Sequence, residues 1–435
     1  MKLLFIENRD KTFLFDSIAE KLNKKYSVSW IVQNHQFIPK NGCVYKIPYP
    51  KKNDLIKVES DVFDYISKTD RLINYFKGND LHYQYYWEKI ATTIQSVKPD
   101  VVFGESTQFH ELIAIKICEQ NNILYLNPST TSFPQKRFFF YTFDKKKPLN
   151  INNENILQVN YDKIIKKIND RTLQPDYMQL KNKKKISKEF YYRFLQILEF
   201  LKGEKYTTPS LDKKILIDLK LKKLLTKWNK NSRSLDELPT NKKVMLYPLQ
   251  MQPEANIDVW GSKFRDQSKL INDISKRLPN NWILVVKLNP KSKYEMNEEL
   301  FSSIKNSNVF AINRDIPMNE IIAKTEIIAT VTGTIAIEGF LGNVYTFCFA
   351  PSIVDKFPGS SRIRNLNEFK NLLKLFEDNK LGYAKQSDKV KFMKLVFKNS
   401  FIGNISDPRS DKNCLDKKNI EDLCFAFNRV LTNDK

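Results

Sequence analysis

Glycine is scarce in this sequence of 435 residues, which contains only 11. The Gly-x-Gly-x-x-Gly fingerprint of dinucleotide sites and the Gly-x-x-x-x-Gly-Lys-[Ser/Thr] phosphate loop are both absent, so dinucleotide oxidoreductases and P-loop NTPases lose their main support. The five cysteines are widely scattered without a Cys-x-x-Cys pair, which argues against a disulfide scaffold and a Cys-rich zinc site. The three histidines, His35, His82 and His110, never fall at metal-ligand spacing, so no metal site is expected.

Long apolar runs are also missing. No stretch approaches the roughly 20 apolar residues of a membrane-spanning helix, and charged side chains already occur at Lys2, Glu7, Arg9 and Asp10. We therefore expect neither a transmembrane segment nor a secretory signal. Cysteines without a pairing pattern fit a reducing, cytoplasmic environment.

Positive charge is in excess, with 72 Lys and Arg against 49 Asp and Glu and a formal net charge of +23. Such a balance is typical of proteins with anionic partners such as nucleic acid, phosphosugars or a membrane face. The excess is spread through a background rich in Lys and Asn, with only short dense runs such as residues 181–185. We interpret most of it as solvated surface, and we find no aromatic-basic motif that would indicate nucleic-acid binding.

Buried strands and amphipathic helices alternate along the first part of the chain. Strand-like runs at residues 2–7 and 27–33 flank a helical stretch at 13–25, and a second strand, helix and strand follow from residue 99 to 126. This order predicts a parallel sheet with helical crossovers, and therefore a Rossmann-like domain.

The second half repeats the pattern more clearly. We predict five strands there, at residues 243–249, 282–287, 309–312, 326–331 and 344–349. The predicted domains are 1–205 with a helical insertion, a helical linker at 206–240, a second Rossmann-like domain at 241–400, and a helical tail at 401–435 that packs back on the body.

Loops that follow parallel strands are where such sheets bind ligands. One of them contains Thr332, Gly333 and Thr334 and runs directly into an apolar helix. Backbone N–H groups and the helix dipole at such a start can hold a phosphate. An ordinary threonine helix cap fits the same pattern equally well.

A second loop ends the strand at 282–287 with Lys287, Asn289 and Pro290. A lysine at the carboxyl edge of a buried strand is well placed to meet a phosphate, although a plain surface lysine is the more frequent case. The third loop alternates polar side chains at Gln250, Gln252 and Glu254, and its prolines, Pro248 and Pro253, disfavour helix. Its side chains could form hydrogen bonds with a nucleobase or with sugar hydroxyls, or the segment could simply be a turn.

In their order and spacing these loops resemble the bacterial glycosyltransferases of capsule-polysaccharide biosynthesis, including the Kdo-type (3-deoxy-manno-octulosonate) and nonulosonate transferases. The likeness covers roughly residues 243–352. The segments that carry it are Pro248-Leu249-Gln250, Gln252-Pro253-Glu254, Gly261, Asp266-Gln267, Lys287-Leu288-Asn289-Pro290, Thr332-Gly333-Thr334 and Glu338. Residues 102–106 and 134–138, which include Ser106 and Arg137, give looser support.

The resemblance implies a GT-B fold, in which two Rossmann-like domains face each other across a cleft. It also implies a nucleotide-sugar donor held mainly by the C-terminal domain, with no cofactor and no obligatory metal. We take the donor to be a CMP-activated 2-keto sugar acid such as Kdo or pseudaminic acid, and the acceptor to be a growing lipid-linked glycan. The family usually has histidine where this chain has Asn289, which leaves UDP open as the nucleotide.

Glycosyl transfer also needs a carboxylate, either as base toward the acceptor or as nucleophile toward the anomeric carbon. Glu105 at the end of its predicted strand is the first candidate, followed by Glu7 and His110. Ser106 and Arg137 are candidates for contact with the acceptor, Arg137 through an acidic sugar or a lipid phosphate. Lys287 and the Thr332–Thr334 helix start would stabilise the leaving phosphate.

Alternative functions remain open. One is a UDP-sugar-dependent GT-B enzyme, either a transferase or a 2-epimerase. The other is a noncatalytic factor of capsule assembly or export that binds glycan. We expect the protein in the cytoplasm, peripherally bound at the inner face of the membrane, where its net charge would favour anionic lipid.

Overall fold

The computed structural model describes residues 1–151, 159–175 and 186–432, and the lysine-rich run at 181–185 lies outside that part of the chain. The described strands are β1 (Lys2–Ile6), β2 (Ser27–Val32), β3 (Cys43–Lys46), β4 (Val101–Gly104), β5 (Leu124–Thr130), β6 (Arg137–Thr142), β7 (Lys243–Pro248), β8 (Trp282–Lys287), β9 (Val309–Ile312), β10 (Ile327–Thr330), β11 (Tyr345–Cys348), β12 (Ser360–Arg362) and β13 (Phe401–Ile402).

The described α-helices are α1 (Thr12–Leu22), α2 (Asp61–Thr69), α3 (Arg71–Phe76), α4 (Tyr83–Val97), α5 (Phe109–Gln120), α6 (Tyr161–Asn169), α7 (Ile186–Lys202), α8 (Leu211–Asn231), α9 (Ala255–Asp258), α10 (Gln267–Ser275), α11 (Glu298–Ser303), α12 (Met318–Ile322), α13 (Ile335–Leu341), α14 (Leu366–Glu377), α15 (Gln386–Asn399) and α16 (Lys417–Thr432). They belong to two compact units. The first takes in the described residues of Met1–Gln158, Gln174–Lys214 and Val396–Lys435, and the second those of Val159–Leu173 and Ile215–Leu395.

The first unit is built on a seven-stranded sheet of order β13-β6-β5-β4-β1-β2-β3. Strands β3, β2, β1, β4 and β5 are parallel, and β6 and β13 are antiparallel additions at one edge. The chain runs from β1 outward to β2 and β3 and then returns to place β4 on the other side of β1. The topological switch point of this sheet therefore lies between β1 and β4.

Aromatic side chains form the core on one face of this sheet. Phe5 of β1 stacks on Trp30 at a centroid distance of 4.7 Å and on Phe103 at 5.3 Å. Phe427 of α16 lies 4.8 Å from Phe103, so the C-terminal helix packs on the first sheet, as the amphipathic pattern of the tail predicted. Burying such large rings accounts for much of the stability of this unit.

The second unit has a six-stranded sheet of order β12-β11-β10-β7-β8-β9, in which every pairing is parallel. Strand β8 is buried along its whole length, as expected for a parallel sheet covered on both faces. The chain again runs outward from the first strand, β7 to β8 to β9, before β10 pairs on the other side of β7. The second switch point lies between β7 and β10.

The two sheets confirm the predicted fold class, an α/β protein with two Rossmann-like domains. The helix predicted at residues 13–25 is α1, which spans Thr12–Leu22. Asp266, which belongs to a segment that carries the family resemblance, is the N-cap residue of α10 and accepts the Lys269 N–H at 2.9 Å. Strands β3, β6, β12 and β13 were not predicted.

Two parts of the predicted domain plan sit differently in the structure. The predicted linker at 206–240 contains α8, whose Leu224 and Trp228 are buried in the core of the second unit. The Trp228 indole N–H also donates to the Ile312 carbonyl at 3.1 Å. The predicted insertion of the first domain contains α6, whose Asn169 donates to the Leu341 carbonyl of the second unit at 3.1 Å. The placement of α8 and of α6 therefore depends on contacts with residues that are distant in the sequence.

The placement of α8 predicts a large effect at Trp228. We expect Trp228→Ala to lower the free energy of unfolding by about 3–5 kcal/mol, because it removes a fully buried ring and its hydrogen bond. Leu219→Ala, on the exposed face of the same helix, should change it by less than about 0.5 kcal/mol. Chemical denaturation measures both. Equal, small effects would mean that α8 is a linker after all.

Candidate functional site

The loops after β7 and β10 flank the switch point of the second sheet. Gln250, two residues beyond β7, joins them through its side-chain amide. Its Oε1 accepts the Thr332 backbone N–H at 2.8 Å, and its Nε2 donates to the Thr332 hydroxyl oxygen at 3.0 Å. Gln250 and Thr332 are both buried, so this reciprocal pair fixes the entry of the chain into α13.

Gly333 belongs to the same tight junction. Its N–H donates to the Thr330 hydroxyl oxygen at 3.1 Å, and a Cβ at this position would lie only 2.7 Å from that oxygen. Thr334 follows as the N-cap residue of α13. The Thr332 and Gly333 N–H groups, which the sequence suggested for a phosphate, are thus used to build the loop.

Gln252 connects the β7 loop to the loop after β8. Its backbone N–H donates to Glu295 Oε2 at 3.0 Å. Its side-chain amide donates to Asp258 at 2.9 Å and accepts from Gln267 Nε2 at 3.2 Å. Gln267 Nε2 also donates to the Gln250 carbonyl at 2.7 Å. Gln250 and Gln252 therefore tie the loops after β7, β8 and β10 into one hydrogen-bonded constellation.

Lys287 ends β8, one strand beyond β7, and is buried. Its Nζ donates to the carbonyl oxygens of Asn313 at 3.1 Å and Arg314 at 2.7 Å, both in the loop after β9. Burial lowers the pKa of Lys287 to about 8, against the opposing effect of Asp315. Since β8 and β10 are two strand spacings apart, or about 10 Å, the ammonium is directed away from the Thr332 loop.

The remaining residues of the donor prediction are spread around this edge. Asn289 accepts the Lys291 N–H at 2.8 Å and shapes the turn that contains the exposed Pro290. Glu254 is half-buried, and its N–H donates to Asp258 at 2.9 Å.

Glu338, one turn into α13, forms an ion pair with Arg171 from the segment after α6. Burial raises the pKa of Glu338, and Arg171 opposes that shift. Glu338 thus joins α13 to α6 and is not part of the Gln250 constellation.

The switch point of the first sheet carries charge instead of amides. Glu7 follows β1, Glu105 follows β4, and Glu111 lies in the first turn of α5. All three carboxylates contact Arg9, which donates from Nε to Glu7 at 3.1 Å and from Nη2 to Glu111 at 3.1 Å. Lys11 forms a further ion pair with Glu105. We call these five residues the Arg9 cluster.

The Arg9 cluster contains three carboxylates and two cations. The pKa values of Glu7 and Glu105 are shifted in opposite directions. Burial raises the pKa of Glu7 to about 8, with Arg9 opposing and Glu105 and Glu111 adding to the rise. Burial also raises the pKa of Glu105, but Lys11 and Arg9 outweigh it and hold that pKa at about 2. Glu105 is thus held in its ionised form. With 20% of its side chain exposed it is the carboxylate that reaches the surface, whereas those of Glu7 and Glu111 are fully buried.

The other three candidates of the first domain are placed less favourably for chemistry. His110 is buried in α5, where burial lowers its pKa to about 3 and keeps the ring neutral. Ser106 is buried and accepts from Asn127 at 2.9 Å. Arg137 donates to the Ser400 hydroxyl at 2.8 Å and to the Ser400 carbonyl at 2.7 Å, and so fastens the segment before β13.

Four residues that matter here were not among the candidate site residues: Arg9, Lys11, Glu111 and Gln267, although Gln267 belongs to a segment that carries the family resemblance. Arg9 and Lys11 lie just after a predicted strand, which was an available signal, but their partner Glu105 lies 94 or more residues away. In the part of the chain that the structure describes, no group of three or more His, Cys, Asp and Glu side chains is arranged to hold a metal ion. None of the described helices is long and apolar enough to cross a membrane.

No protein-family model matches the chain, and no curated protein sequence matches it. Several solved structures are similar in fold. KpsC of Thermosulfurimonas dismutans, a β-Kdo 2,7 transferase, is 9% identical over 99% of both chains with a TM-score of 0.39. The UDP-GlcNAc 2-epimerase of Neisseria meningitidis bound to UDP-GlcNAc is 11% identical over 100% of both chains, with a TM-score of 0.29.

MurG of Acinetobacter baumannii is also similar, at 9% identity over 91% of this chain and 99% of that one, with a TM-score of 0.28. Kdo transferases, which the sequence resembles, are thus among the similar structures. Structural similarity at these identities and TM-scores assigns neither an activity nor a substrate to the chain.

The Arg9 cluster predicts an unusual pH dependence. Because the pKa of Glu7 rises from its usual 4.5 to about 8 on folding, its favourable contribution is complete below about pH 4.5 and is lost as the pH rises through 8. Glu7→Gln mimics the protonated form, so wild type should lose stability relative to this variant between pH 5 and 8, by on the order of 2 kcal/mol.

Denaturant titrations across that pH range measure the difference, with Glu421→Gln on the exposed part of α16 as the control. Parallel stability curves for wild type and Glu7→Gln would show that Glu7 stays ionised in the folded protein.

The Gln250 amide predicts a second effect. Gln250→Leu keeps the apolar volume but leaves the buried Thr332 N–H without its acceptor, which we expect to cost about 2–3 kcal/mol of unfolding free energy. Gln386→Leu removes an exposed amide of the same unit, which donates to Asp162, and should cost less than about 0.5 kcal/mol. Similar losses for the two variants would contradict a special role for the Gln250 pair.

Proposed function

We propose that the protein is a nucleotide-sugar-dependent glycosyltransferase of surface-polysaccharide biosynthesis, built on two Rossmann-like domains. The observation that supports this most is the placement of the predicted residues. Gln250 and Thr332 flank the switch point of the second sheet, and Glu7 and Glu105 flank that of the first. Switch points are where open parallel sheets bind their ligands.

The donor belongs to the second unit in this proposal. When the glycosyl bond breaks, negative charge develops on the leaving phosphate and must be stabilised. Lys287 is suited to this because its pKa of about 8 leaves it mostly cationic at neutral pH. Two of its three N–H groups are held by carbonyls, so one remains for an anion. We propose that this cation makes a metal ion unnecessary.

In this proposal, the hydrogen-bonded side-chain amides of Gln250, Gln252 and Gln267 support the donor site. Its buried amides hold the loops after β7, β8 and β10 in one arrangement. We propose that Asn289, Pro290, Glu254 and Thr334, from the loops at the same edge of the sheet, contact the nucleotide and the sugar. We propose a CMP-activated 2-keto sugar acid, such as Kdo or another nonulosonic acid, as the donor.

Glu105 is the carboxylate of the first unit that we propose to act in the reaction. Its low pKa makes it a poor general base, because a base works best with a pKa near the working pH. An ionised, partly exposed carboxylate instead suits charge stabilisation or nucleophilic attack at the anomeric carbon. Arg9 and Lys11 would orient it, and Glu7 would adjust the charge of the cluster by holding a proton.

A growing lipid-linked glycan is the proposed acceptor, and the inner face of the cytoplasmic membrane the proposed location. The net charge of +23 favours such an anionic surface.

Nucleotide release from CMP-Kdo, CMP-nonulosonates and UDP-sugars tests the proposal, with thermal unfolding to report binding. We expect release from a CMP-sugar acid that persists in EDTA. Lys287→Met and Glu105→Gln should each lower turnover by about a hundredfold, while Glu298→Gln, which removes an exposed carboxylate of the second unit, should leave it unchanged.

Release from UDP-sugars alone would replace the proposed donor. Protection by a nucleotide sugar without release would favour the noncatalytic alternative. No release and no protection by any of these compounds would overturn the proposal.

A further inference from the structure

Two consecutive helices, α7 and α8, carry large apolar side chains on their outer faces. On α7, Phe190, Phe194 and Leu201 are each more than half exposed. Their spacing of i, i+4 and i+11 places them in one stripe along the helix. A contiguous stripe of this kind differs from the single exposed apolar residues found on most protein surfaces.

The opposite face of α7 is attached to the first unit. Glu199 is buried and accepts the Tyr49 hydroxyl at 3.0 Å. The guanidinium of Arg409 lies 4.6 Å from the centre of the Tyr192 ring. Tyr192 and Glu199 are seven residues apart and lie about half a helical circumference from Phe190. The apolar stripe therefore points away from the unit on which the helix is packed.

Helix α8 has the same division. Leu224 and Trp228, near its C-terminal end, are buried in the core of the second unit. Leu211, Ile215, Leu216 and Leu219, in its first half, are about half exposed or more. The 21-residue helix also contains seven lysines and only two aspartates.

We infer that the exposed face of α8, in the first half of the helix, binds the surface of an anionic lipid bilayer, and that the apolar stripe of α7 is a separate contact with lipid. Leu and Ile side chains on one face of a helix with lysines beside them, as on α8, are the composition of helices that lie in a membrane interface. Lys220, Lys222 and Lys223 are exposed next to the apolar residues of α8 and complement lipid phosphates. Their apolar stems can lie along the acyl boundary while the ammonium groups stay in the headgroup layer.

The exposed lysines and apolar residues distinguish an anionic bilayer from two other possible partners, a second copy of the chain and a soluble polyanion. A second copy of the chain would bring the same seven lysines of α8 to the interface, and like charges would oppose pairing. A soluble polyanion would satisfy the lysines of α8 but leave Ile215, Leu216 and Leu219 of the same helix in water. An anionic bilayer matches both features at once.

This inference deepens the membrane location within the proposed function, and it can fail independently because lipid binding needs no sugar donor. The test is co-sedimentation of the full chain with phosphatidylcholine vesicles, with and without phosphatidylglycerol. We expect binding to the mixed vesicles that weakens at high salt and is at least about tenfold weaker on phosphatidylcholine alone.

Three variants locate the surface. Phe190→Ser/Phe194→Ser/Leu201→Ser and Ile215→Ser/Leu216→Ser/Leu219→Ser should each weaken vesicle binding about tenfold or more. Lys220→Gln/Lys222→Gln/Lys223→Gln should weaken it on anionic vesicles. Phe425→Ser, an equally exposed residue of α16, and Lys391→Gln/Lys394→Gln/Lys398→Gln on α15 are the matched controls and should bind like wild type.

Circular dichroism and thermal unfolding establish that each variant is folded. Unchanged binding in all the helix variants would overturn the inference, as would equal loss in the controls. A dimer in light scattering that the apolar variants convert to monomer would assign the surface to a second copy. Binding of an anionic polymer equal to that of the mixed vesicles, unaffected by the apolar variants, would also overturn it.

Discussion

The reciprocal pair between the Gln250 amide and Thr332 is the interaction on which the geometry of the second unit's site depends. It joins the ends of β7 and β10, which belong to parts of the chain 82 residues apart. A carboxamide is needed because one end must accept an N–H while the other donates to a hydroxyl. Glutamate would offer only acceptors and leucine neither. With both partners buried, no water is at hand to replace a lost bond.

The two switch points solve the same structural problem with different chemistry. In the second unit, side-chain amides together with Asp258 and Glu295 hold the loops. Burial lowers the pKa of Lys287, whose Nζ donates to backbone carbonyls. In the first unit, Arg9 is shared among Glu7, Glu105 and Glu111. There burial raises the pKa values of Glu7 and Glu111, with the neighbouring carboxylates adding to the rise, while Lys11 and Arg9 keep Glu105 ionised.

The strands and loops could be predicted because their signal is local. Residues 282–287 form an unbroken apolar run, as a strand buried on both faces requires, and they are β8. The direction of the Lys287 side chain could not be predicted, because the carbonyls of Asn313 and Arg314 lie 26 and 27 residues further on. The contact of Arg137 with Ser400 could not be predicted for the same reason, since the two residues are 263 positions apart in the sequence.

The contrast between Trp228 and Leu219 shows why periodicity alone did not separate core from surface in α8. Both are large apolar residues of one helix, yet Trp228 is fully buried and Leu219 is half exposed. A helix whose two ends have different surroundings must satisfy two patterns at once, and its average amphipathicity is then weak. The apolar residues of its first half add nothing to the core, and in water they favour association. The lysines interleaved with them keep such a surface soluble and also restrict what can cover it, because only a partner that is both apolar and anionic gains from both kinds of side chain.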